Sequence, residues 1–254
     1  ALFEYSLYGW TVGFVAFAAV AALLVLLFVP APYGRHAREG WGPEMPARWG
    51  WFVMEGIAPV AFGAVFLAHR AEAGMASWVV GGLYVGHYVY RGWIYPFRMR
   101  APDKRMPVVT VVLAVLFNLC NAPLNAFALA ALGSHLDSAW FASPLFWGGL
   151  ALFAAGLVVN HHSDAILRRL REPGESGYAI PEGGLYRWIS CPNYFGEMVE
   201  WTGFALAAMT IPGWLFVVFT AANLVPRAVA HHRWYREHFD NYPEERRAIF
   251  PFLL

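Results

Sequence analysis

The sequence predicts an all-α membrane protein: one domain over residues 1–254 with seven transmembrane helices, amino terminus outside, carboxyl terminus cytoplasmic, and no Rossmann domain. Three observations carry this. Of the 254 residues, 59% are hydrophobic and 17% aromatic while only 14% are charged, which leaves too little polar surface for a water-soluble domain. The charges are also confined: residues 1–34 hold only Glu4, residues 106–163 only Asp137, and residues 201–226 none. A soluble fold needs charge on every exposed face, so stretches this long without it face lipid. Finally, Lys and Arg are one-sided along the chain.

A bilayer core takes about 20 apolar residues per helix. The first window, 8–30, is too long for a signal-peptide core and is preceded by Glu4 instead of basic residues, so it reads as a retained helix. Windows 50–69 and 76–96 follow, then 107–132 and 143–163 on either side of Asp137. The sixth, 194–209, is short; Thr210-Ile-Pro-Gly213 marks a tight turn before the seventh, 212–234. Every Lys and Arg other than Arg70 and Arg91 then falls in the loops after windows one, three and five or at the carboxyl-terminal end. Cytoplasmic loops retain positive charge, which sets the orientation. No internal repeat is evident, which argues against a transporter built from duplicated halves. The net charge of +1 excludes a nucleic-acid partner, and Cys120 and Cys191, in no C-x-x-C, give neither a disulfide framework nor a zinc knuckle.

Ionisable groups at membrane depth are costly and mark functional sites by default. Here they form helical stripes. Tyr84, Tyr88, Arg91 and Tyr95 share a face of the third window, Asn118, Asn121 and Asn125 one of the fourth, and Asn160, Asp164, Arg168 and Arg171 one at the end of the fifth. Asn193, Glu197 and Glu200 open the sixth, Arg227, His231, Tyr235 and His238 close the seventh, and Glu55 stands in the second. The Asn stripe serves equally well as interhelical hydrogen bonding. Taken together, the ionisable groups imply a polar chamber open to the cytoplasm.

His161-His162 and His231-His232 suit iron ligation, but a membrane di-iron desaturase needs three closely spaced histidine boxes and this chain offers one at most, so no metal is expected. Neither a G-x-G-x-x-G between strand and helix nor a P-loop is present. A nucleotide would instead meet the basic rim of Arg98, Arg100, Lys104, Arg105, Arg168 and Arg171, where guanidinium forks suit phosphates. Such a rim also serves orientation and contact with anionic lipid.

Three stretches then resemble one family closely: Asn160-His-His-Ser-Asp164-Ala-Ile-Leu-Arg168-Arg-Leu-Arg171, Tyr178-Ala-Ile-Pro-Glu-Gly-Gly-Leu185, and Asn193-Tyr-Phe-Gly-Glu197 with Glu200-Trp201. With Arg227, His231-His232-Arg-Trp-Tyr235 and Tyr242-Pro243 they resemble the steroid 5α-reductase family, of which the chain is expected to be a bacterial member. The likeness is dense from about 155 onward and looser before. Asn-Tyr-Phe-Gly-Glu alone also occurs in isoprenylcysteine methyltransferases; the Asn160-to-Leu185 run is more specific. In the front half, Trp51-Phe-Val-Met54-Glu55 and His87-Tyr88-Val-Tyr-Arg91 look like the family's second- and third-helix segments.

The resemblance implies NADPH-dependent reduction of the C4–C5 double bond of a Δ4-3-oxo steroid, with Tyr88, assisted by Glu55, hydrogen-bonding the C3 carbonyl oxygen. It implies substrate contacts at Trp51, Met54, Glu55 and Tyr88. It implies cofactor contacts at Asn160, Asp164, Arg171, Tyr178, Asn193, Glu197, His231 and Tyr235, joined by Arg91, Tyr95, Arg227, Asn121 and the rim bases Lys104, Arg105 and Arg168. Asn193 serves equally as an N-cap of the sixth helix. Residues 1–133 would then be mainly the substrate side and 155–254 mainly the NADPH side. Two positions depart from the family: Met54 stands where vertebrate members have Gln, and Ala179 where they have Arg, so Arg168 or Lys104 would take over a phosphate contact. The expected setting is a multi-pass monomer in a bacterial inner membrane, or in the endoplasmic reticulum of a eukaryote, with a hydrophobic substrate entering from the bilayer. A polyprenol-type enone reductase is the near alternative. An isoprenylcysteine-type methyltransferase would use S-adenosylmethionine and has no need of Glu55 and Tyr88.

Overall fold

The computed structural model describes residues 2–100, 104–170 and 178–254. Its helices are α1 (Leu2–Phe28), α2 (Ala47–Ala68), α3 (Met75–Tyr88), α4 (Tyr95–Arg98), α5 (Val108–Ala130), α6 (Pro144–Arg169), α7 (Pro192–Ala208) and α8 (Ile211–His238). Five of them, α1, α2, α5, α6 and α8, are long and apolar enough to cross a bilayer. The chain is therefore a multi-pass, all-α membrane protein. The α6 and α8 helices run past their apolar windows into the polar stripes, because a helix satisfies its own backbone whatever surrounds its side chains.

The third apolar window is not one regular helix. Between α3 and α4 the residues Val89–Ile94 form a π-turn, in which one extra residue per turn shifts the register of everything after Tyr88. At this turn Gly92 lies backbone to backbone with α2: a Cβ there would stand 2.6 Å from Gly56 Cα and 2.8 Å from Glu55 C. The α7 helix, at 17 residues, spans roughly 25 Å at 1.5 Å per residue. It ends as the Thr210–Gly213 pattern requires. Met209 adopts the left-handed conformation at φ 45, and Thr210 Oγ1 accepts from Gly213 N at 3.3 Å.

Packing follows residue size. Gly149 and Gly156 on α6 face Gly203 and Gly196 on α7, so these helices touch along their backbones, the close approach that small residues permit in lipid. Trp201, Tyr84, Phe62, Phe146, Phe204 and Phe216 fill the centre. The α1 helix packs on α8 and α5 and leaves its other faces outward, with Trp10 and Phe28 78% and 82% exposed.

One element lies outside the helical expectation. A two-stranded antiparallel ribbon pairs β1 (Glu44–Pro46) with β2 (Arg105–Pro107), joining the loops that precede α2 and α5. Three residues per strand are too few to leave an alternating pattern in the sequence. The ribbon places these two loops at one end of the bundle, and contacts from Arg35 to Tyr235 and from Lys104 to Tyr178 bring the other basic segments to the same end.

Candidate active site

Glu55 reaches the interior from α2 and hydrogen-bonds the Asn118 side chain of α5, whose Nδ2 also donates to Met54 O at 2.6 Å. It lies within electrostatic reach of Arg91, Glu197 and His87. Tyr88, 4% exposed on the last turn of α3, packs on Tyr84 and Trp201 at ring distances of 4.8 and 5.8 Å and is an electrostatic neighbour of Glu55. The π-turn then aims Arg91 at α6 and α7: Nη1 donates to Asp164 Oδ2 at 3.2 Å, and Nη2 stands 3.9 Å from Glu197 Oε2. The guanidinium lies over Trp51 and Tyr95, 5.1 and 4.9 Å from their centroids, a cation–π arrangement that suits a delocalised charge.

From α7, Asn193 Nδ2 donates to Asp164 Oδ1 at 3.2 Å, while its carbonyl accepts from Asn160 Nδ2 at 2.9 Å. Cys191, not Asn193, occupies the N-cap position, and burial pushes its thiol up to about 12. The α8 side is a second network. Arg227 Nη2 donates to the Tyr194 hydroxyl at 3.1 Å and the guanidinium lies over Tyr33 at 4.9 Å; His231 Nε2 is 3.1 Å from the same hydroxyl. Tyr33 begins a strap, Tyr33–His36, that turns back at Gly34 with φ 65, a left-handed conformation that glycine adopts freely. His36 stacks on His231, centroids 5.0 Å apart, with Nε2 2.9 Å from Nδ1. Arg35 donates to the Tyr235 hydroxyl at 3.0 Å and lies 4.2 Å above that ring. Burial, then the nearby Arg35, lowers the His36 pKa below the ordinary 6.5; burial raises that of Tyr33 against the pull of Arg227.

Beside these networks is a cleft of about 200 Å³ whose lining includes Arg35, Tyr95, Arg100, Lys104, Asp164, Arg168, Tyr178, Ala179 and Tyr235. Lys104 Nζ donates to the Tyr178 hydroxyl at 3.1 Å. Within this lining, Arg35 Nη1 and Arg168 Nη1 are buried with no hydrogen-bond partner among the described residues.

Glu55, Tyr88, Arg91, Tyr95, Asn160, Asp164, Asn193, Glu197, Arg227, His231, Tyr235 and Trp51 thus converge, and Lys104, Arg168 and Tyr178 line the cleft. Three expected members stand apart. The Met54 side chain packs with Ala47, Met106 and Val111; Arg105 pairs with Glu44 on the ribbon at 3.4 Å; Asn121 is fully buried and donates to the Tyr84 hydroxyl at 3.4 Å. Arg171 lies outside the described residues. The sequence puts Asn118 in the Asn stripe without distinguishing it from Asn121, and gives no site role to Tyr194 or to the Tyr33–His36 strap. The strap's signal in the sequence is the aromatic and basic run directly at the exit of the first apolar window.

Fold and site together define a multi-pass membrane protein in which a buried polar network opens on a basic cleft. The family model described as 3-oxo-5-alpha-steroid 4-dehydrogenase matches residues 104–254. The chain is 40% identical over 240 residues to 3-oxo-5-alpha-steroid 4-dehydrogenase 1 of Bos taurus, covering 92% of both chains. It is 39% identical to the protein of that name from Rattus norvegicus, covering 95% of this chain and 92% of the relative, and 36% identical to Steroid 5-alpha-reductase DET2 of Arabidopsis thaliana, covering 93% of each. The chain belongs to the 3-oxo-5-alpha-steroid 4-dehydrogenase family.

Proposed function

We propose that the protein is an oxidoreductase that saturates the C4–C5 double bond of a Δ4-3-oxo steroid with NADPH. The observation that carries this reading is the adjacency of the partly buried Glu55 and the buried Tyr88 to the Arg91–Asp164–Asn193–Glu197 network. The residues fit the cofactor. The buried Nη1 atoms of Arg35 and Arg168, without a partner among the described residues, are donors suited to phosphate oxygens, and Arg100, Lys104 and Ala179 line the same cleft. Asn193 and Glu197 offer amide and carboxylate partners for the nicotinamide carboxamide. When bound, NADPH supplies the hydride, delivered to C5.

The chain's own groups do the rest. Tyr88 donates a hydrogen bond to the C3 carbonyl oxygen, and Glu55, held by Asn118, supports that donor as negative charge develops there. In a dry site one such bond is worth roughly 3 kcal/mol to the transition state. The enolate then takes a proton at C4 from a water molecule, whose O–H bond breaks and whose hydroxide is neutralised by solvent. Trp51 closes the network on the α2 side by covering Arg91. In this reading seven helices cross the bilayer, α3 with its π-turn and α7 being the third and sixth. The basic loops face the cytoplasm and admit the nucleotide, the steroid enters laterally from the bilayer, and the chain works as a monomer.

The test is NADPH consumption by the purified protein, followed at 340 nm with progesterone or testosterone. Steroid-dependent loss of absorbance with a 5α-reduced product is expected. Absence of turnover with both steroids, alongside turnover of a polyprenol-type enone, would replace the substrate class.

A further inference from the structure

His87 and Glu200 form a pair that the proposed chemistry does not use. The imidazole Nδ1–H of His87, on α3, donates to Glu200 Oε1, on α7, at 2.6 Å, and the two residues are 6% and 0% exposed. Glu200 Oε2 is buried without a hydrogen-bond partner among the described residues, of which His87 supplies the side-chain hydrogen bond to this carboxylate. Stability alone does not account for such a pair, since apolar residues of similar volume often serve a core as well or better.

Its place in the fold suggests what it does. His87 immediately precedes Tyr88 and packs edge-on against Trp201 at 4.6 Å, and Trp201 also packs on Tyr88. The helix α3 is tied to the α6–α7 pair at two levels, through Arg91 to Asp164 and Glu197, and through His87 to Glu200. Between these ties, directly after Tyr88, begins the π-turn. The Arg91 tie lies inside this π-turn, where the regular i to i+4 ladder of α3 has already ended, so it does not by itself fix Tyr88 at the end of α3.

We propose that the His87–Glu200 hydrogen bond is the positioning device for Tyr88. It fixes α3 against α7 at the residue before Tyr88, and so sets that hydroxyl, on the substrate side, relative to Asn193 and Glu197 on the cofactor side. His87 and Glu200 act through Tyr88 and touch neither reactant. The inference rests on the role given to Tyr88 above. The two fail separately: a Tyr88→Phe enzyme at wild-type rate removes that role, whereas a fast pair variant beside a slow Tyr88→Phe removes only this inference.

The experiment compares Glu200→Gln, which keeps a hydrogen-bonding side chain of the same size, with the apolar double variant His87→Leu/Glu200→Leu. The double variant is expected to melt at or above the wild-type temperature and to bind NADPH with unchanged Kd by fluorescence titration. Its kcat should fall roughly 10- to 100-fold, the cost of a small misplacement, and the deuterium isotope effect with 4-deuterated NADPH should rise as hydride transfer becomes limiting. Glu200→Gln should stay within about threefold of wild type. Wild-type kcat in the double variant, a kcat loss matched by loss of Kd or of melting temperature, or a Glu200→Gln as slow as the double variant would each overturn the proposal. If the double variant does not fold, the volume-matched apolar pair His87→Phe/Glu200→Met takes its place with the same outcomes.

Discussion

Tyr88 shows what a single side chain is asked to do here: remain a neutral donor where water is scarce. Its ring is held by Tyr84 and Trp201, and its hydroxyl lies within hydrogen-bonding reach of Tyr84. Tyr88→Phe removes that donor and leaves the ring packing intact. We expect kcat to fall about 100- to 1,000-fold, as loss of an oxyanion donor does elsewhere, with the NADPH Kd unchanged; a rate within tenfold of wild type would remove Tyr88 from the chemistry. At this scale the sequence was legible wherever a polar residue had no business in lipid, as with Glu55, Arg91, Asp164 and Glu197. It was misleading where a stripe holds several members. Asn118 reaches Glu55 while Asn121, one turn on, serves Tyr84, and residue type alone does not say which one faces the site. The family resemblance puts Met54 with Glu55 at the substrate, yet consecutive helix residues point about 100° apart and its side chain joins another cluster.

Among the elements, the π-turn is the one that hydropathy conceals. Residues 76–96 read as a continuous apolar window, and nothing in an averaged property registers one extra residue in a turn. What the turn requires is visible only in three dimensions, as the backbone contact between Gly92 and Gly56 beside Glu55. A methyl group at either position has no room. Gly92→Ala should lower stability by about 1–3 kcal/mol, the usual cost of overpacking, and, by pushing α2 outward at Glu55, reduce kcat more than it raises the KM for NADPH. A variant with the wild-type melting temperature and rate would show that α2 and α3 are free to move apart there. The ribbon and the α6–α7 glycine seam were equally hidden, the first because it is short, the second because small residues do not announce their partners.

For the molecule as a whole, the Tyr33–His36 strap matters because it ties the segment after α1 to α8, across most of the chain length. The two imidazoles share one N–H···N contact at 2.9 Å, which two protonated rings cannot make. Since the folded protein lowers the His36 pKa below 6.5, the unfolded chain binds the proton more readily. The strap's contribution is therefore fully present above the unfolded value and is lost as pH falls below 6.5 toward the lowered folded value. Thermal melts in detergent between pH 7.5 and 5.5 should show the wild type losing stability on acidification and His36→Gln losing less; parallel curves for the two would dissociate His36 from the effect. Neighbouring Arg35 and Arg227 stay charged throughout this range and sharpen the penalty for a second cation.

The partner of α1 has a consequence for how the protein is made. Its main contact is α8, so the earliest of these helices to leave the ribosome packs chiefly on the latest. For most of synthesis α1 must stand in the bilayer with that partner still missing. Its window has the highest hydropathy of the five long helices, 2.7, and only 11% of it is buried in the finished protein. A helix so composed is at home in lipid with or without its partner, and α8, with the strap contacts, completes its surroundings only once the last of these helices is made.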